Sequence, residues 1–159
     1  LVALLILVHN FNTEPMLQRK IYDFYMKNRK RVNNWDLVDL SADKIVGGYL
    51  YDKPKEILHD LSKSENLWER RIAMISTYHF IKSNDFSDAL TIAENLLLDR
   101  NDLIQKAVGW MLREVGKRNM DIEIKFLNKH YKNMGRVALR YATEKFPDQT
   151  RTKYLKGKV

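Results

Sequence analysis

Only six glycines and three prolines punctuate this chain, and between them apolar residues recur every three or four positions. That spacing places side chains on one face of a helix, and almost no stretch alternates as a strand would. The fold class this dictates is all-α. After an apolar opening segment, Thr13 is expected to cap a helix running to about Arg31. Asn34 is expected to cap WDLVDLSADKIVGGYLY, with Asp36 favourable in its first turn. Pro54 suits the first position of PKEILHDLS. Further helices are expected over LWERRIAMISTYHFIKS after Asn66, FSDALTIAENLLLD after Asp85, LIQKAVGWMLREVGKR after Asp102 and DIEIKFLNKHYKN from Met120. RVALRYATEKF lies between Gly135 and Pro147, and a basic QTRTKYLKGK closes the chain. Gly47-Gly48 falls inside a helical pattern and marks close helix packing or a kink.

Connections of two to five residues make neighbouring helices antiparallel hairpins. Trp68-x-x-Arg71 and Trp110-x-x-Arg113 recur at an offset of 42 residues, within the roughly 40–47 of HEAT or armadillo repeats. Together with the helix lengths this predicts an α-solenoid with a concave surface built from one helix of each pair.

The chain carries 28 Lys and Arg against 20 Asp and Glu, a formal charge of +8. Such an excess fits nucleic acid, an anionic membrane surface or plain solubility. The absence of cysteine excludes disulfides and thiolate metal sites and fits a cytoplasmic location. The opening LVALLILV is too short for a membrane span, which needs about 20 residues. It also lacks the basic flank and cleavage site of a signal peptide. It reads as the interior of a buried helix, with further helices expected ahead of it. Scattered histidines show no metal-ligand spacing, and no P-loop, dinucleotide or serine-nucleophile motif is present. No metal or cofactor is therefore expected.

Three tryptophans, Trp35, Trp68 and Trp110, all sit beside charges rather than in continuous apolar runs. Lys106, Trp110, Arg113 and Lys117 share one helical stripe, opposite an apolar one. It reads either as a solvated face or as a phosphate-gripping stripe with a stacking platform. Trp68 and Arg71 repeat the arrangement, with Trp68 equally readable as an apolar plug at a helix start and Arg70 as a solvated charge. Lys125, Lys129 and Lys132, and Arg136 with Arg140, form further basic ridges. Trp35 and Asp39 lie at i and i+4 and share a face. A lone carboxylate among aromatics and cations suits a reaction that develops positive charge, as in oxocarbenium chemistry. The aromatic faces would hold a cationic leaving group. An alkylated purine is one candidate among several.

Four stretches, NNWDLVD, ENLWERRIAMIST, IQKAVGWMLREVGK and GRVALRYATEKFP, occur in an order that resembles the bacterial DNA alkylation repair enzymes of the AlkD type, the HEAT-like-repeat DNA glycosylases. The resemblance covers essentially the whole chain. It implies one glycosylase domain over 1–159, lacking the family's N-terminal helices. The implied activity is hydrolytic removal of positively charged N3- or N7-alkylated purines from double-stranded DNA, by a monomer that needs no membrane or metal. It makes Asp39 the catalytic carboxylate and Trp35 and Trp110 the tryptophans of the cleft. Arg71 is implied at the DNA backbone, with Arg113, Lys106 and Trp68 as further DNA contacts. The alternative is a non-catalytic α-solenoid that binds structured nucleic acid.

Overall fold

A computed structural model describes residues 1–159. It is all-α, with no strand. Twelve α-helical segments follow one another: α1 (Val2–Thr13), α2 (Gln18–Asn28), α3 (Trp35–Ser41), α4 (Gly48–Leu50), α5 (Glu56–Ser62), α6 (Leu67–Ser76), α7 (Tyr78–Lys82), α8 (Ser87–Asn95), α9 (Asp102–Gly116), α10 (Met120–His130), α11 (Arg136–Ala142) and α12 (Asp148–Leu155). A π-helical turn, Ala42–Gly47, joins α3 to α4.

Asparagines cap three of the helices, Asn66 where the sequence puts it, and Asn101 and Asn119 one residue ahead of the expected starts at Asp102 and Met120. Asn66 accepts from the Trp68 amide at 2.8 Å, Asn101 from Leu103 at 2.9 Å and Asn119 from Ile122 at 3.2 Å. Each satisfies an amide that has no partner inside its helix. Asn34 adopts the extended backbone of a cap but makes no capping bond. Thr13 differs from expectation. It ends α1, with its hydroxyl donating to the His9 carbonyl, and does not start the next helix. Pro15 follows, cannot extend the hydrogen-bond ladder, and instead opens a 3-10 turn, Pro15–Leu17, that leads into α2. α5 likewise begins two residues after Pro54.

Helices α3, α6, α9 and α11 pack one on the next, with α5, α8 and α10 against their other side. Side-chain contacts between levels recur at a sequence separation of 32: Asp39 to Arg71, Arg71 to Leu103 and Gln105 to Val137. Along α9, α11 and the 3-10 turn Thr143–Lys145 that continues α11, the contacts advance in the same direction, from Gln105 with Val137 through Gly109 with Tyr141 to Arg113 with Glu144. These helices are therefore parallel, a stack compatible with a solenoid. The 32-residue register replaces the 42-residue Trp-x-x-Arg offset. Trp68 is the second residue of α6, whereas Trp110 sits mid-helix in α9. The counterpart of Trp110 one level earlier is Tyr78, and the two rings meet at 6.0 Å.

Two glycines permit this stacking. A Cβ on Gly47 would lie 2.3 Å from the Ser76 carbonyl oxygen, and one on Gly109 would lie 2.4 Å from that of Ala138. The close packing expected at Gly47 is present, at the last residue of the π turn. The core is one continuous apolar cluster that includes Val38, Ile45, Ile72, Ile75, Ile104, Met111 and Leu139. Val8 and Phe11 face the core, while Leu1, Val2, Leu5 and Ile6 are exposed. No helix is long and apolar enough to cross a membrane.

Candidate active site

The parallel stack brings the same edge of α3, α6, α9 and α11 together, and an open cavity of about 480 Å³ forms there. Its lining is Trp35, Asp39, Arg71, Leu103, Lys106, Trp110, Arg113 and Tyr141. Six residues singled out from the sequence thus converge from three helices. Trp68 does not join them. It is half-buried at the start of α6 and packs against the apolar core.

Asp39 lies one turn into α3 from Trp35, so the helix presents both to the cavity. Trp35 is 54% exposed. Arg71 reaches Asp39 from α6 as a fork, with Nε to Oδ1 at 3.0 Å and Nη2 to Oδ2 at 2.8 Å. Its Nη1 donates to the Leu103 carbonyl. The guanidinium is thus engaged on two sides and only 6% exposed, against 18% for the Asp39 side chain. A carboxylate has about four lone-pair positions. The fork takes two, and no other hydrogen bond engages the carboxylate, which lines the cavity.

Lys106 and Trp110 stand one turn apart on α9. Arg113 follows and pairs with Glu144 at the far rim. Lys117 shares the stripe but leaves the cavity for Glu114, 2.6 Å away. Burial pushes the Glu114 carboxyl up, but hydrogen bonds from Lys117 and Arg118 outweigh it and hold the group below its ordinary range. Arg70 is not a solvated charge. It pairs with Asp99 at 2.7 Å and donates to the carbonyls of Ser64 and Glu65. Asp36 accepts from the Leu37 amide at 2.8 Å, a local role at the start of α3.

Two residues here escaped sequence reasoning. Tyr141 enters the cavity because Gly109 lets α11 come close to α9, and a Cβ at Gly109 would lie 2.5 Å from that of Tyr141. The 32-residue register, which pairs those positions, was the available signal. Leu103 contributes a backbone oxygen, which side-chain motifs do not reveal. Beneath α9, Glu123 is buried against Gly116, and its Oε1 has no hydrogen-bond partner. Burial pushes its carboxyl up to about 8, with Arg113 opposing the rise.

An all-α stack with a carboxylate, a guanidinium and three aromatics in one basic-rimmed cleft defines a class of candidate enzymes. Comparison of sequences gives the family: the chain belongs to the DNA alkylation repair enzymes, whose family model matches residues 1–146. The protein is thus a DNA-repair enzyme, with DNA as its partner. A search of individually curated proteins returned no match.

Proposed function

We propose that the protein is a DNA glycosylase that excises positively charged N3- or N7-alkylated purines from duplex DNA by hydrolysing the N-glycosidic bond. The observation that carries this reading is the Asp39 carboxylate, clamped by Arg71 and opening into a cavity walled by Trp35, Trp110 and Tyr141. When the bond from C1′ to the purine nitrogen breaks, its electron pair moves to the base and cancels the base's charge. The base therefore leaves neutral without a general acid. Positive charge passes to the sugar, where an oxocarbenium ion develops. Asp39 stabilises that ion, and water adds to C1′ while its proton passes to Asp39 or to bulk water.

The aromatic walls suit the substrate more than the product. A cation over an aromatic face is held by about 0.5–2 kcal/mol, an attraction that a neutral departing base no longer has. Lys106 and Arg113 serve the phosphates on either side. Arg71 acts as a positioning residue. Three of its five N–H donors go to Asp39 and Leu103, and its side chain is only 6% exposed, so it holds the carboxylate's orientation rather than gripping the DNA backbone.

The test is abasic-site formation in methylated duplex DNA under single turnover. Losing a group aimed at developing charge costs about 10²–10³ in rate, so Asp39→Asn is expected to fall by that much. A rate near wild type would remove Asp39 from the mechanism. Duplex binding without any base release by the wild type would favour the non-catalytic reading.

A further inference from the structure

The chain's charge is not evenly spread. Residues 119–159 hold ten Lys and Arg against four Asp and Glu, so +6 of the net +8 lies in the last quarter of the sequence. One of those four acids is Glu123, buried and pushed up to about 8, so it does little to offset the cations at neutral pH. Part of this charge surrounds a second cavity of about 310 Å³, formed where the end of α10, the start of α11 and the end of α12 meet.

The floor of that cavity is apolar and filled by Met134, Leu139 and Tyr154, all buried. Its rim carries Lys132, Arg136 and Lys156, all exposed. No acidic side chain pairs with any of the three. Lys132 only approaches the Tyr131 ring, at 5.8 Å. Arg136 gives one N–H to the Leu155 carbonyl at the end of α12, which leaves the remainder of its fork open.

The rim is also fixed in place. α12 ends in a left-handed cap at Gly157, with φ +67°, and the Lys158 amide donates back to the Lys153 carbonyl at 2.9 Å. Tyr154 anchors the helix through its hydroxyl, which donates to Asn128 at 2.7 Å, and through edge contacts with Tyr131 and Phe146. Cations around one cavity with no ion-pair partner of their own repel one another, and an anion that bridges them relieves that repulsion.

We infer that this C-terminal rim is a second contact for the DNA backbone, in which Lys132, Arg136 and Lys156 take phosphates of the duplex flanking the excision site. The inference rests on the proposed glycosylase reading for its choice of polyanion. It concerns an element, α12, that begins after residue 146, where the family match ends.

The experiment compares the full chain with Lys132→Gln/Lys156→Gln, leaving Arg136 in place because it closes the end of α12. Binding to a short undamaged duplex is measured against salt concentration. Each phosphate contact contributes about 0.9 to the slope of log K against log salt. The double variant is expected to lose about 1.8 from that slope and one to two orders of magnitude in affinity near 0.1 M salt. Single-turnover excision at saturating protein should be unchanged. A control, Lys20→Gln/Lys63→Gln, removes the same charge at exposed positions elsewhere. An unchanged slope in the first variant overturns the inference, as does an equal fall in the control. Wild type that binds but never excises, with the slope loss intact, sinks the glycosylase reading and leaves the rim standing. Excision with no slope loss does the reverse.

Discussion

Replacing Arg71 by alanine separates two roles for that residue. If it grips DNA phosphate, as the family resemblance implies, its removal leaves stability almost untouched and lowers the salt slope by about 0.9. The structure argues otherwise. Arg71 makes two charge-assisted bonds to Asp39 and one to the Leu103 carbonyl, with its side chain 6% exposed. Bonds to charged groups contribute about 1.5–3 kcal/mol each, and breaking a buried pair from one side costs about 3–5 kcal/mol. Asp39 retains some access to water, at 18% exposure, which reduces the cost of leaving it unpaired. The expected loss is therefore about 3 kcal/mol. With a urea m-value of about 2 kcal/mol/M, the unfolding midpoint should drop by about 1.5 M. In a double-mutant cycle with Asp39→Asn, the two losses should fall well short of adding, because the residues share one interaction. A midpoint shift below about 0.3 M, together with a shallower salt slope, would refute the clamp and restore the phosphate role.

Glu123 and Trp35 supply the other tests. The Glu123 carboxyl is raised from 4.5 to about 8 by burial, so the folded state keeps a proton that the unfolded state releases. Its contribution is fully present below pH about 4.5 and is lost as pH rises through about 8. Stability should therefore fall across that window, and Glu123→Gln should flatten the fall in urea melts taken from pH 5 to 9. An identical pH profile in the variant would refute it. Trp35→Ala, at a half-exposed ring, should leave the unfolding midpoint nearly unchanged. Single-turnover excision at sub-saturating protein should slow by about tenfold or more, since up to about 2 kcal/mol of cation–π attraction to the charged substrate base is lost. Equal rates would remove Trp35 from the site.

The helices were legible in the sequence because apolar spacing and asparagine caps are local signals. Asn66, Asn101 and Asn119 cap through bonds that span two or three residues. Within helices, one-turn spacing joined Trp35 to Asp39, and Lys106 to Trp110 and Arg113, and the cavity gathers all five. What the sequence hid was partnership between levels. Helical spacing from Trp68 singles out Arg71 over Arg70, but nothing local shows that Arg71 turns inward to Asp39 while Arg70 turns to Asp99. The repeat is hidden for the same reason. Trp-x-x-Arg is conspicuous but occupies unlike positions in α6 and α9, while the true 32-residue register lies in pairs of dissimilar residues. Tyr141 depends on a missing side chain, that of Gly109, and a close approach of that kind appears only once both helices are in place.

The parallel stack has a mechanical consequence. Trp35 and Tyr141 line the cleft from the first and last helices of the stack, with the seams between α3, α6, α9 and α11 lying between them. Each seam couples nearest neighbours alone. A small rotation at every seam therefore adds up at the mouth, and the cleft widens or narrows without a hinge. A seam tightened away from either ring, as where Gly47 meets Ser76, would change the span between them as surely as a substitution in the wall.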